Sequence, residues 1–152
     1  MDMEKFTERS RGFLQAAQTI AIREGNQRVL PEHLLKALMD DDQGLAANLI
    51  TRAGGDAQAV RRAVDETVAK QPKVSGGDGQ VYVDSALVRV MDEAQKLAKQ
   101  AGDSFVPVER VLMALAMVNT RAKDALDAGK VSAQSLNAAI NDIRKGRTAD
   151  SA

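Results

Sequence analysis

Residues 17–38 read AQTIAIREGNQRVLPEHLLKAL, and residues 94–115 read AQKLAKQAGDSFVPVERVLMAL. At an offset of 77 the two stretches share nine identities: Ala17/Ala94, Gln18/Gln95, Ala21/Ala98, Gly25/Gly102, Val29/Val106, Glu32/Glu109, Leu35/Leu112, Ala37/Ala114 and Leu38/Leu115. Shared amphipathicity accounts for matching Ala and Leu, but not for a polar Gln, a Glu and a helix-ending Gly in one register. The correspondence continues at an offset of 76, where Asp56, Ala57 and Gln58 match Ser132, Ala133 and Gln134, and Val60, Ala63 and Val64 match Leu136, Ala139 and Ile140. The chain reads as a duplicated unit.

Each copy reads as four helices. In the second, Leu87, Val90, Met91, Ala94, Leu97, Ala98 and Ala101 recur at three- and four-residue spacing and form one apolar stripe; in the first, Phe13, Leu14, Ala17, Ile20 and Ala21 do the same. Gly25 and Gly102 stand where the stripes stop. The expected helices span 7–24, 31–40, 44–53 and 57–70, then 84–101, 108–118, 121–128 and 133–145. Thr7, Asp56, Thr120 and Ser132 are N-cap types, and Pro31 suits a first helical turn, where its missing N–H costs nothing. The fold expected is all-α, a pseudo-twofold double four-helix repeat of about eight helices, with repeat one at 4–70, a linker at 71–83 and repeat two at 84–145 of a domain ending near 146. Residues 71–84, with Pro72, Ser75, Gly76, Gly77, Asp78 and Gly79 before Val81, Tyr82 and Val83, read as an extended connector. Residues 147–152 are small and polar and read as the start of a flexible linker.

Composition narrows the function. Lys and Arg number 21 and Asp and Glu 21, a net charge of +0, which argues against a polyanion-binding module because counterion release needs a cationic surplus on one face. Nucleic acid is therefore excluded as the main partner, and an unrelated helical DNA-binding module would need a basic face that scattered pairs such as Arg61-Arg62 and Arg144-Lys145 do not build; these read as solvated faces or helix-terminal dipole partners. The four aromatic residues Phe6, Phe13, Tyr82 and Phe105 leave an aliphatic core. No apolar run exceeds residues 111–118, far below the roughly 20 residues a bilayer span needs, and Asp2, Glu4 and Glu8 are unlike a secretory leader, so no membrane partner and a cytoplasmic location are expected. With no Cys and one His, thiolate chemistry and Cys- or His-rich metal centres are excluded, and no metal or cofactor is expected in this domain.

The remaining motifs have modest readings. Gly76-Gly77-Asp78-Gly79 lacks the Lys-Ser or Lys-Thr of a phosphate loop and reads as linker. Asp40-Asp41-Asp42 lacks the alternating ligands and closing Glu of a calcium loop and reads as solvated. His33, aligned with Arg110, reads as a surface residue. Asn26 with Asp103 and Glu32 with Glu109 occupy equivalent places, which leaves two readings: a Glu in a first helical turn serves the helix dipole alone, or the pairs are related ligand sites that receive a basic side chain or peptide N–H. No nucleophile accompanies them, so they are binding groups rather than catalysts.

The chain resembles the N-terminal domain of the Clp/Hsp100 AAA+ chaperone ATPases over residues 4–146. The resemblance lies in Glu4-Lys5-Phe6-Thr7-Glu8-Arg9-Ser10 with Ala16-Ala17-Gln18, in Pro31-Glu32-His33-Leu34-Leu35-Lys36-Ala37-Leu38, and in Gly102-Asp103-Ser104-Phe105-Val106 leading to Glu109. It is greater to the disaggregase members than to those that serve proteolysis. It implies a mobile domain above a homohexameric ring, which engages unfolded or aggregated proteins before ATP-driven threading, with Hsp70-system cooperation. ATP and Mg would belong to AAA+ modules outside this chain, which carries no phosphate loop and no catalytic site. By the resemblance, Thr7, Asp103 and Glu109 match polar positions used by the family, and Leu97 lies in its apolar groove. Arg110 and Glu93 stand where some relatives have Leu, which makes any apolar patch more amphipathic.

The residues themselves agree: two four-helix units meeting along a seam would present aliphatic side chains to apolar segments with little sequence preference. Leu97, Phe105 and Val106 would give apolar contact, Thr7, Asp103 and Glu109 would fix backbone or basic groups, and Asn26 and Glu32 would form a pseudo-symmetric second site. Affinity would be weak, since a flexible client loses entropy on ordering. The competing expectation is a domain that docks a folded adaptor for a protease-associated ATPase.

Overall fold

A computed structural model describes residues 2–74 and 80–151. The cluster Gly76-Gly77-Asp78-Gly79, with Ser75, lies outside the described residues. A short 3-10 turn, Met3–Lys5, precedes α1 (Glu8–Arg23); a two-residue strand β1 (Arg28–Val29) leads to α2 (Pro31–Met39), α3 (Leu45–Arg52) and α4 (Ala57–Ala69). The second copy repeats this with β2 (Tyr82–Val83) before α5 (Ser85–Gln100), then α6 (Val108–Met117), α7 (Arg121–Ala128) and α8 (Ala133–Arg144). The fold is the all-α duplicated repeat that the sequence predicts, and every helix end falls within one residue of its predicted place. No helix among the described residues is long and apolar enough to cross a membrane.

Local chemistry sets these ends. Thr7, Asp56, Thr120 and Ser132 each accept a backbone N–H from the residue three further on, so all four act as N-caps, and Asp84 does the same for Ala86 at the start of α5. Helices α1 and α5 close alike. Gly25 and Gly102 adopt φ of +71° and +81°, and the next amides, of Asn26 and Asp103, reach back to Ala21 O at 2.9 Å and Ala98 O at 2.8 Å. A side chain at either glycine would strain this left-handed turn.

The two copies are joined by exchange. Val29 pairs in parallel with Val83, and at the equivalent place 77 residues away Val106 bridges Phe6. Thus Tyr82 and Val83, placed in the linker by the sequence reading, form part of the second repeat's framework. Helix contacts across the copies obey the same twofold exchange: α1 meets α6 as α5 meets α2, α4 meets α7 as α8 meets α3, and α2 meets α6 on the axis itself. One continuous aliphatic core runs through both copies, including fully buried Leu34, Leu35, Leu112 and Leu115, each stabilising by roughly 1.5–3 kcal/mol relative to exposure.

This packing corrects one expectation. The seam between the copies is not an open oily furrow along its helices, because backbone approaches backbone there: Asp56 N donates to Gly129 O at 2.8 Å. A Cβ on Gly129 would lie 2.4 Å from Val60 Cγ2 and 2.7 Å from Asp56 O, whereas one on Gly12, exposed in α1, would meet nothing within 4 Å. Gly129→Ala should therefore destabilise the domain by about 1–3 kcal/mol. Gly12→Ala should instead stabilise it by about 0.5–1 kcal/mol through helix propensity. Urea denaturation of the two variants checks the opposite signs.

Candidate functional site

The turn that ends α5 places Asp103 in the interior, its side chain fully buried. Asp103 Oδ2 accepts from Arg144 Nη1 at 3.0 Å, and Oδ1 accepts from the Ala149 amide at 2.7 Å. Arg144, from the last turn of α8, also lies 3.4 Å from Glu109 Oε2, in the first turn of α6. Arg110, one residue on and 4% exposed, donates Nη1–H to Asn137 Oδ1 at 3.0 Å; its Nε lies 3.6 Å from Asp103 Oδ2 without a hydrogen bond. Burial first, and the Arg144 charge second, lower the Arg110 pKa, so the nearby carboxylates do not fully offset the cost of placing this guanidinium inside.

In the first copy the equivalent positions carry a neutral arrangement. Asn26 stands for Asp103 and His33 for Arg110, and the two remain partners, His33 Nε2 lying 2.9 Å from Asn26 Oδ1. His33 is fully buried, which overturns the surface reading. Its Nδ1 accepts the Leu30 N–H at 2.9 Å, so Nε2 carries the proton and donates to Asn26. Position 107, equivalent to Leu30, is Pro and has no amide hydrogen to satisfy. Position 110 is thereby released from accepting a hydrogen bond and can hold Arg. Burial lowers the His33 pKa from its ordinary 6.5 to about 4. Glu32, also buried, accepts from Gln71 Nε2 at 2.8 Å, and burial is the main cause of its raised pKa. Asn26 further donates to Pro72 O at 3.1 Å. The pair Asn26 and Glu32 is thus enclosed and internally satisfied.

The six main candidates do not converge on one groove. Leu97 lines a cavity of about 360 Å³ in the second copy, with Arg110, Met113, Asn137, Arg144 and Arg147 among its walls. Asp103, Phe105 and Val106 line a furrow of about 670 Å³ on the other face of α5, bordered by Lys5, Asp92, Gln95, Lys96 and Lys99. Asp103 connects the two by binding arginines of the first cavity. Thr7 lies outside both: it caps α1 and its amide donates to Val106 O at 3.1 Å. Val106 is core as well as furrow wall, 3% exposed. The rim is thus mixed, three lysines with Asp92, where the sequence reading expected acid. Residues 147–150, read as the start of a flexible linker, dock against this turn, since Phe105 N donates to Ala149 O at 2.9 Å and Ser104 Oγ to Asp150 Oδ1 at 2.9 Å.

Comparison with known proteins places this architecture. The family model described as the Clp repeat (R) N-terminal domain matches residues 5–139. The chain belongs to the Clp repeat N-terminal domain family. This Clp repeat domain is 55% identical over 154 residues to the chaperone protein ClpB of Rhodopseudomonas palustris, covering 100% of this chain and 18% of that protein. It is 56% identical over 153 residues to ClpB of Agrobacterium fabrum, with the same coverage. The chain therefore spans about a fifth of the length of these curated relatives. Among solved structures, the Hsp104 N-terminal domain of Candida albicans superposes with a TM-score of 0.84 at 22% identity, covering 97% of this chain and 96% of that one. The N-domain of ClpV from Vibrio cholerae does so with a TM-score of 0.74 at 18% identity over 93% and 86%. Both share the fold.

Sequence reading of the Clp repeat domain missed Arg144, Asn137 and Arg147. Arg144 was assigned to a solvated face or helix terminus, yet its side chain is 13% exposed and serves two carboxylates. The available signal was its place in the last turn before Gly146, opposite a buried-type turn carrying Asp103.

Two outcomes follow from these buried groups. Asp103→Ala leaves Arg110 without its carboxylate partner and Arg144 with Glu109 alone, and should cost about 3–5 kcal/mol in urea denaturation. His33 titrates lower when folded than unfolded, so its contribution is complete above pH 6.5 and lost as pH falls towards 4. Stability should drop by about 2–3 kcal/mol between pH 7 and 4.5 from this group. Since it is the sole histidine, His33→Gln should flatten that part of the profile, while the raised Glu32 pKa acts with opposite sign in both proteins.

Proposed function

We propose that this domain engages unfolded or aggregated polypeptide for an ATP-dependent disaggregase of the ClpB type and passes it to a homohexameric AAA+ ring. The relatives named chaperone protein ClpB support the class, and their greater length leaves room for the modules that would bind ATP and Mg and do the mechanical work. The domain itself acts by binding and carries out no catalysis; cooperation with an Hsp70 system and a cytoplasmic setting belong to the same reading.

The observation that carries the proposal is the furrow of about 670 Å³ whose walls include the part-buried Phe105 ring, Val106 and Ala98, with Asp92, Gln95 and three lysines at its edge. A ring and aliphatic wall held by the end of α5 can take apolar side chains of many sequences, while the polar edge meets exposed peptide groups. Leu97, across α5, extends apolar contact to the neighbouring cavity. Thr7, Asp103 and Glu109 contribute by holding the turn and α6 in place; Asn26 and Glu32 do the same for the first copy.

A permanently unfolded, soluble protein titrated into the isotopically labelled chain should shift the amides of Leu97, Phe105 and Val106. Phe105→Ala should weaken that binding by roughly fivefold, about 1 kcal/mol. Unchanged amides there, with a response only to a folded adaptor, would replace client capture by adaptor docking.

A further inference from the structure

The 360 Å³ cavity is not the apolar pocket that Leu97 alone would make. Leu97 and Met113 supply aliphatic wall, but Arg110, Arg144 and Arg147 bring three guanidinium groups to the same space. Their carboxylate neighbours are Asp103, whose two oxygens are engaged by Arg144 and the Ala149 amide, and Glu109, which serves Arg144. Asp150 is held by Thr148 and Ser104. Arg147 donates to the carbonyls of Arg144 and Ile143 at 3.0 and 3.2 Å, and carbonyls bring it no countercharge. Arg110 is 4% exposed and its Nε–H lacks an acceptor. That Nε lies 3.6 Å from Asp103 Oδ2, and among the described residues it is the one buried side-chain donor left unmade; with Arg147 exposed at the mouth and bringing a third positive charge against Asp103 and Glu109, the cavity favours a ligand that brings charged oxygens.

We propose that this cavity receives a carboxylate of the client polypeptide, from an Asp or Glu side chain or the chain terminus, with flanking aliphatic residues against Leu97 and Met113. The inference rests on client binding and names the chemistry the client presents. A cavity of 360 Å³ suits one acidic side chain with part of a neighbour, and guanidinium groups match carboxylate oxygens in two-point geometry.

The test uses three fluorescein-labelled 15-residue peptides of Leu, Ala and Ser: central Glu with an amidated end, central Gln with a free terminal carboxylate, and central Gln amidated. Anisotropy with the 152-residue chain at low salt should show at least one carboxylate peptide bound roughly fivefold or more tighter than the neutral one. Preference for the first locates the side chain as source, and preference for the second the terminus. Arg147→Gln should reduce that preference to within about twofold, as loss of one charge-assisted contact requires. Equal or weaker binding of both acidic peptides, no peptide binding while the unfolded protein still binds, or a preference intact in Arg147→Gln overturns the carboxylate site and leaves client capture standing. Failure of the unfolded protein to bind overturns both.

Discussion

The fold depends on a crossed pair of main-chain contacts. Phe6, at the head of the first copy, lies beside Val106 in the turn of the second, with Val106 N donating to Lys5 O at 2.7 Å and Thr7 N to Val106 O at 3.1 Å. In return Tyr82 N donates to Gln27 O and Asp84 N to Val29 O, both at 3.0 Å. Strands this short have no stability of their own. They persist because Phe6 and Val29 are buried and because Phe6 and Val83 run directly into the caps of α1 and α5, Thr7 and Asp84. Each copy thus borrows its neighbour's opening residues to cover its own turn. The twofold pairing of α4 with α7 and α8 with α3 then closes the remaining apolar faces at backbone distance.

Duplication gives two equal frames; the polar residues at their turns have diverged in a coupled way. The first copy combines Asn26, Leu30 and His33, and the second Asp103, Pro107 and Arg110. The Leu30 amide calls for an acceptor at position 33, which a neutral imidazole supplies while its other nitrogen donates to Asn26. Proline removes that demand, and a guanidinium without acceptor capacity becomes tolerable if the partner amide becomes a carboxylate. One change at the helix entrance therefore converts a closed neutral pair into an ionic cluster. In a low-dielectric interior such a cluster is costly to leave incomplete, a cost the neutral first copy does not carry.

What could be read from sequence follows the range of the forces involved. Helix ends, the four named caps and the two glycine turns are set by neighbours within a few residues, and the offset of 77 between Gly25 and Gly102 gave the copies their register. Most of the expectations that changed involve distant partners, although those of His33 are only three and seven residues away. His33 sits in a helix pattern compatible with exposure until Asn26 and the Leu30 amide enclose it. Arg144 and Asp103 are 41 residues apart, and neither residue type announces the other. The closed seam rests on Gly129 meeting Asp56 and Val60, a fit between two copies that single-helix periodicity does not contain. Residues 147–150 look like linker by composition, because main-chain pairing with Phe105 needs no distinctive side chains.

The same geometry explains why binding here should be modest in strength and broad in choice. Leu97 on α5 and Phe105 in the turn that follows it face different cavities, so under the proposed function a client touching both must wrap the helix end rather than fill one deep slot. Such a contact orders several client residues for limited buried area, and most of the interaction energy offsets their lost freedom. Charge groups at the cavity add orientation without demanding a particular apolar sequence. Asp103 stands behind both surfaces with its oxygens already engaged, so its contribution is to keep Arg110 and Arg144 in position. A carboxylate used in this way is structural support for the proposed site, so its removal would lower stability and any binding together.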